Sequence, residues 1–408
     1  MAEVTNYIDR LVAELCPDGV EYRPLGDVVE YAKKREKDGT GVHLYVGVEN
    51  LKSDFLGCSP VNGSKGGIIF QKDDILLGNI RPYLKKMWLS NAEGVSSPDV
   101  LVLRIQENEE ENIVAKYLYY ILSSSKFVAY NISHSRGGKM PRGNKAKILE
   151  FEFPVPPTEI QEAIVEILDK FTNLEAELEA ELEARTLQYE YYRDSLFEAL
   201  DCPRATLGEL GKFYGGLKGK TKNDFGSSGA RYISYKNVYE NISTDFTWPD
   251  FVQVKEGENQ LSLMKGDILL TGSSENMEES GLSSVVTKEP GEKAYLNSFS
   301  ICYRLNDPSI LNPEFSKYLF RSRLARKQII RTAQGVTRFN VSKKKLANVT
   351  IPIPSLEEQQ RIVDILDRFD ALTTSLSEGL PAELAARRSQ YEYYRDQLLT
   401  FPRKGENQ

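Results

Sequence analysis

From Ile160 onward, apolar residues fall at Ile164, Ile167, Phe171, Leu174, Leu178 and Leu182, then at Tyr189, Tyr192 and Leu196, with Arg185 filling one seam position. Steps of three and four predict a helix over 158–200 with a coiled-coil seam. Glu175-Ala-Glu-Leu178 and Glu179-Ala-Glu-Leu182 give two consecutive steps of four, a stutter in that seam. At 1.5 Å per residue the helix would be roughly 64 Å long, a spacer between globular blocks. Pro154, Pro156 and Pro157 before it favour extended chain and mark abrupt entry into the helix. Elsewhere the apolar runs are short and β-branched. Ile75-Leu-Leu, Val100-Leu-Val-Leu, Tyr232-Ile-Ser and Ile268-Leu-Leu read as strands between Gly and Asn turns. A helical period returns over 113–130 and 315–332, so each block is α/β or α+β. Val4, Ile8, Leu11 and Leu15 predict a short amphipathic helix ended by Cys16-Pro-Asp-Gly.

The pattern occurs twice. PVPPTEIQEAIVEILDKF at 154–171 is echoed by PIPSLEEQQRIVDILDRF at 352–369, and YEYYRD at 189–194 returns unchanged at 391–396. Fainter echoes precede these: Leu25-Gly26-Asp27 with Leu207-Gly208-Glu209, Asp74-Ile-Leu-Leu with Asp267-Ile-Leu-Leu, and Lys116-Tyr-Leu-Tyr with Lys317-Tyr-Leu-Phe. An internal repeat of this length divides the chain into a block (1–157), a helix (158–200), a second block (201–354), a second helix (355–400) and a tail (401–408). The second helix contains Gly379-Leu-Pro381, which predicts a break and restart with proline in the first turn.

Composition then narrows the chemistry. The 408 residues are 40% hydrophobic and 27% charged, ordinary for globular domains, and no run approaches the roughly 20 apolar residues of a membrane span. The first residues lack the pattern of a secretory signal, so the expected location is the cytoplasm. Four scattered cysteines and two histidines, His43 and His134, leave no zinc-ligand set, and the metal expectation is none. The formal charge of −7 argues against nucleic acid until it is located. Residues 159–198 carry twelve acids and three bases, and residues 357–396 carry nine and five, which leaves +6 on the rest. The helices are acidic and the blocks basic.

Within the blocks the bases cluster in Gly-rich segments: Lys33, Lys34 and Arg35; Arg81, Lys85 and Lys86; Arg136, Lys139, Arg142 and Lys145; Lys218, Lys220 and Lys222; Lys236; and Arg338, Asn340, Lys343 and Lys344. Interleaved Tyr83, Tyr235, Asn237 and Phe339 suit a duplex, because cations hold phosphates while Arg, Asn and Gln read base edges. Any single cluster also fits a solvated surface; the recurrence in both blocks favours binding. Catalytic signatures are missing. Gly215-Gly-Leu-Lys-Gly-Lys-Thr221 has Tyr214 where a phosphate-binding loop needs glycine. After Pro98-Asp99 no lysine has an acid two residues before it, as a nuclease of the Pro-Asp type requires, and no Asn-Pro-Pro-Tyr or Asp-Pro-Pro-Tyr motif of an amino-methyltransferase occurs.

Two unlike basic blocks, each closed by Pro-x-Pro and an Ile-Val-x-Ile-Leu-Asp-x-Phe helix, with Glu-Ala-Glu-Leu repeats and Tyr-Glu-Tyr-Tyr-Arg-Asp ends, resemble the specificity subunits of type I restriction-modification systems. The resemblance spans nearly the whole chain and is most specific in the helices. It implies two target recognition domains reading a bipartite duplex DNA site, and spacer helices paired antiparallel. It also implies docking of two methyltransferase subunits joined by restriction subunits. S-adenosylmethionine, ATP and Mg would then belong to those partners, with no cofactor in this chain and adenine flipping left to the methyltransferase. The doubled patch Tyr191, Tyr192, Arg193 and Tyr393, Tyr394, Arg395 has the aromatic and Arg chemistry of partner hot spots, although the spacing of Tyr192 also suits internal packing. A specificity subunit of a related non-translocating, bipartite-cutting system fits as well, and a coiled-coil scaffold without DNA binding fits the helices alone.

One tetrapeptide adds roughly 6 Å and 40° to a helix, and one base pair about 3.4 Å along a duplex. Deleting Glu179–Leu182 should therefore shorten the tolerated gap between half-sites by one or two base pairs. Methylation mapping in cells carrying the deletion tests this; altered half-sites with an unaltered gap would contradict the spacer reading.

Overall fold

The computed structural model describes residues 2–39, 41–374 and 379–405, and their side chains except those of 2–6 and 374. Its helices are α1 (Ala2–Leu15), α2 (Ala115–Ser123), α3 (Ser125–Ser133), α4 (Lys145–Leu149), α5 (Thr158–Glu198), α6 (Leu207–Leu210), α7 (Tyr235–Glu240), α8 (Pro313–Leu319), α9 (Arg323–Ile330), α10 (Lys343–Leu346), α11 (Leu356–Thr374) and α12 (Leu380–Leu398). Two compact units form, one from residues up to Glu179 together with those from Glu383 on, the other from Ala180–Ala382. Each unit thus contains one block and parts of both helical segments.

In the first unit a four-stranded antiparallel sheet runs in the order Val29–Tyr31, Val100–Ile105, Ile75–Gly78, Met87–Leu89. A five-stranded sheet holds one parallel pair, His43–Val46 beside Gly94–Ser96. The second unit repeats the plan: Gly211–Gly215, Ser300–Leu305, Ile268–Thr271 and Ser283–Val285 are antiparallel, and Ala230–Ile233 pairs in parallel with Ala294–Leu296. The ends of each block meet in a two-stranded ribbon, Tyr22–Pro24 on Glu152–Pro154 and Arg204–Thr206 on Thr350–Pro352.

The echo of Asp74 and Asp267 has a structural cause. Both carboxylates are buried, at 2% and 0% exposed, and each accepts a two-pronged guanidinium from the next strand. Arg104 donates through Nε and Nη2 at 2.9 and 2.6 Å, Arg304 at 2.6 and 2.6 Å. The amides of Gln71 and Met264 complete the shells. A desolvated carboxylate needs such partners.

Two helical expectations are corrected. The continuous helices over 113–130 and 315–332 are each split, because Ser124 and Ser322 adopt extended backbone (ψ 151° and 153°) and cap the next helix through the amides of Phe127 and Ala325. These serines turn the chain and each satisfies one amide of the new N-terminus. In α5 the fully buried row is Ile160, Ile164 and Leu168, not Ile167, and Leu174 is 50% exposed. That first stretch packs on Phe153, Tyr117 and Phe127 of its own block, a broader apolar face than a two-helix seam. The break in the second segment separates α11 from α12; Ser375–Glu378 lie outside the described residues, and Gly379 takes φ +90°, a left-handed value suited to glycine.

Trp88 lies in the first unit and Trp248 in the second, and they are the chain's two tryptophans. Removing one member of a buried ion pair costs about 3 kcal/mol or more. In a Trp88→Phe background, Asp267→Ala should therefore lower the urea midpoint reported by Trp248 fluorescence, with an unchanged midpoint counting against the pair's role.

Candidate nucleic-acid interface

The helical segments are held to the blocks by a repeated set of polar contacts. Gln161 is buried; its Nε2 donates to the carbonyls of Asn112 and Pro156 and its Oε1 accepts from Val114 N–H. Gln359 repeats this with Ile310, Pro354 and Asn312. About two helical turns further on, Asp169 accepts from Lys116 and Tyr120, at 2.7 and 2.5 Å, and Asp367 from Lys317 and Tyr318, at 3.0 and 2.6 Å. Burial pushes the Tyr120 and Tyr318 phenols well above their ordinary range, so both remain donors. The Lys-Tyr-Leu echo is thereby explained, although the phenol that reaches the carboxylate comes from different positions in the two copies.

The first copy's helix then meets the second copy's terminal motif. Phe171 stacks on Tyr394 at 5.7 Å, and Arg388 of α12 pairs with Glu175 at 2.6 Å, so α5 and α12 run antiparallel within the first unit. In the second unit Phe369 of α11 stacks on Tyr192 of α5 at 5.5 Å. Arg395 is buried (3% exposed), lies over the Tyr391 ring and donates to Ser125 and Asp396. Arg193 lies over Tyr189 and donates to Asp194. Both arginines, placed on the docking patch by sequence, are committed inside their units. Asp396 and Asp194 in turn accept the first amides of α3 and α9, favourable for an anion at a helix N-terminus. Tyr191, Tyr192 and Tyr393 remain exposed, at 70%, 43% and 61%, and Tyr394 is half-buried under Phe171.

Four of the basic residues converge in the first unit. The segment Arg136–Arg142 forms a hairpin closed by reciprocal backbone bonds of 2.8 Å between its end residues. It lies against the end of the Ile75–Gly78 strand, where Ile80 bridges Arg142 and Arg81 N–H donates to the Pro141 carbonyl at 2.7 Å. Gly137 makes the first step of the turn at φ +102°. Arg136, Lys139, Met140 and Arg142 are exposed around its tip, and Lys145 follows on α4, 6.0 Å over the Tyr31 ring. The second unit builds the same device from different residues. Ala333–Gln334 pairs with Phe339–Val341, which pairs with Ser273–Ser274 at the end of the Ile268–Thr271 strand. Gly335 turns at φ +146°, where an added Cβ would meet the Arg338 carbonyl at 1.9 Å. Val336, Arg338 and Asn340 are exposed, and Lys343 and Lys344 follow on α10. Beside this hairpin a cavity of about 480 Å³ is lined by Tyr235, Lys236, Tyr239, Phe299 and Arg338.

Other sequence candidates stand apart from the hairpins. Lys33, Lys34 and Arg35 are exposed at the edge of the five-stranded sheet, with Lys33 on Glu30. Lys85 pairs with Asp54 at 3.7 Å and Lys86 donates to the Val48 carbonyl at 2.8 Å, anchoring a loop. Lys218 and Lys222 are exposed, but Lys220 between them has a side chain only 6% exposed, held by Glu258 and the Gln253 carbonyl. Asn237 is buried and bonds the Asp245 backbone, which removes it as a reader of base edges. The sequence reading missed Asp99, which meets Arg142 at 3.3 Å, and Phe299, 62% exposed. The Asp-Ile-Leu-Leu echo was the available signal, since it marks the strands whose ends carry both sites.

Against known families, residues 17–184 and 204–386 match the type I restriction modification DNA specificity domain. The chain is 30% identical to the Escherichia coli type I restriction enzyme EcoR124I/EcoR124II specificity subunit, with 98% of each chain covered. It is 29% identical to a putative type I restriction enzyme specificity subunit of Haemophilus influenzae, over 94% of this chain and 96% of that one. A chain from a structure describing complex assembly and conformational transition of the type I R-M system has the same fold, with a TM-score of 0.64 at 17% identity over 93% and 97% of the two chains.

The Lys220 clamp has a pH consequence. Hydrogen bonds from the Lys220 ammonium, the Lys255 amide and Gln260 hold the Glu258 carboxyl down at about 2. Because its folded value is depressed, whatever stability it contributes is present above the ordinary value of 4.5 and lost as pH falls from there toward 2. Glu258 should stay ionised at pH 3 by carboxyl carbon NMR, and in Lys220→Met its midpoint should move up toward 4.5. An unmoved midpoint would show that the lysine is not the clamp.

Proposed function

Since the chain belongs to the family of type I restriction-modification DNA specificity proteins, we propose that its two blocks are target recognition domains that read the two halves of a bipartite, asymmetric duplex site. The reading rests on one observation above all. The same hairpin, docked on the same strand end, occurs in both units with different exposed side chains. Arg136, Lys139, Arg338, Lys343 and Lys344 are the phosphate-holding bases, and the hairpin tips enter a groove. A shared frame with unlike side chains suits two unlike half-sites, and the helical segments set the gap between them.

The exposed Tyr191 and Tyr192 in one unit, and Tyr393 with the edge of Tyr394 in the other, form two docking patches for two methyltransferase subunits, which restriction subunits join. Methyl transfer and cleavage, with S-adenosylmethionine, ATP and Mg, are the work of those partners; this chain selects the site and is not itself an enzyme. The assembly acts in the cytoplasm, and none of the described helices is long and apolar enough to cross a membrane.

Salt dependence of duplex binding tests the reading. Each lost phosphate contact reduces the slope of log K against log salt by about 0.9, so Lys139→Ala and Arg338→Ala should each flatten it by about that amount. Lys220→Met should leave the slope unchanged. Slopes that ignore all three substitutions, or no salt-dependent binding, would overturn the proposal.

A further inference from the structure

Resting on that duplex-reading role, we infer that Arg142 and Asn340 are matched specificity determinants, Arg142 selecting a guanine in one half-site and Asn340 an adenine at the corresponding place in the other. The two residues share no sequence motif, yet four backbone relations put them in one position of the common frame. Arg142 bridges Ile80 at the end of its sheet strand, and Asn340 pairs with Ser273 at the end of its own. Across the hairpin Arg142 pairs with Arg136, and Asn340 with Gln334. Each stands two residues before the cap of the following short helix, Asn144 of α4 and Ser342 of α10. The neighbouring loop is also matched, since the Asp99 carbonyl accepts from Asn79 N–H and the Phe299 carbonyl accepts from Gly272 N–H, both at 2.9 Å.

What changes at this position is side-chain chemistry alone. In the first unit Asp99 takes the Nε and Nη2 of Arg142 on one carboxylate oxygen, at 3.3 Å each, with both side chains about half exposed. An exposed pair of this kind adds little stability, but it aims the guanidinium, whose remaining donors match the O6 and N7 acceptors of guanine. In the second unit the aspartate is replaced by the exposed ring of Phe299, and the arginine by an amide whose donor and acceptor match N7 and N6 of adenine. An aromatic ring beside that amide supplies the apolar contact that a neighbouring thymine methyl takes.

Selection of bound duplexes from a randomised pool by the full-length chain tests the assignment. Arg142→Asn should convert one guanine of one half-site to adenine, and Asn340→Arg should convert one adenine of the other to guanine, each leaving the opposite half-site and the gap as they were. Arg142→Lys, which keeps the charge and should fold in any case, should bind with the wild-type salt slope. Its discrimination at that one base should fall about 5- to 150-fold, the range of one bidentate contact. Wild-type motifs from all three variants, or a uniform loss across sequences with a flatter salt slope, would make these residues phosphate contacts and overturn the inference. A wild-type chain that selects no motif at all would instead sink the duplex-reading role beneath it.

Discussion

The stacking of Phe171 on Tyr394, and of Phe369 on Tyr192, ties each block to a helix supplied by the other copy of the repeat. The first unit therefore closes only with chain from the far end of the sequence, whereas the second, Ala180–Ala382, is continuous. The first unit has Ile160, Ile164 and Leu168 in its core together with Leu398, Leu399 and Phe401, from the far end of the sequence. The buried glutamines and the Asp169 and Asp367 pairs fix the register of each helix against its block, because a one-residue slide would leave an amide and a carboxylate unpaired in apolar surroundings. With register fixed, the end of α5 and the end of α12 present the same tyrosines in equivalent settings.

The basic character of the blocks has two unlike uses. Arg104 and Arg304 neutralise buried aspartates. Arg321 and Arg326 donate to six backbone carbonyls between them, those of Val238, Tyr239, Ser283, Glu278, Ser280 and Gly281, and burial draws both guanidinium groups down to about 10. Lys220 joins this interior group. Desolvated cations demand partners and are unavailable to a ligand. The bases on the hairpins, where a glycine turn and a strand end hold them outward, are exposed, as are Lys33, Lys34, Arg35, Lys218 and Lys222. A count of charge per block therefore overstates the charge that is exposed.

Much was legible in the order of residues. The apolar steps of α5, the duplicated Ile-Val-x-Ile-Leu-Asp-x-Phe and Tyr-Glu-Tyr-Tyr-Arg-Asp motifs, and the separation of acidic helices from basic blocks are local or self-referring patterns. A helix face or a repeat is written within a few turns of chain. The same local reading put Ile167 rather than Leu168 on the buried face and ran one helix through Ser124. It could not know that a globular face lies against α5, or that serine would cap a second helix.

The sequence by itself determined the two-copy plan, the helical segments, the strands that begin at Asp74 and Asp267, and the set of bases from which any anion site must be drawn. Tertiary structure alone decided which bases are free, which are buried, and which positions correspond between the copies. Lys218, Lys220 and Lys222 look alike in sequence, and only the fold turns the middle one onto Glu258. Arg142 and Asn340 look unrelated, and only the pairing with Ile80 and Ser273 makes them one position. The physical reason is that helix period and capping act over neighbouring residues. Burial, ion pairing and strand register are set by groups that the chain brings together from tens or hundreds of residues away.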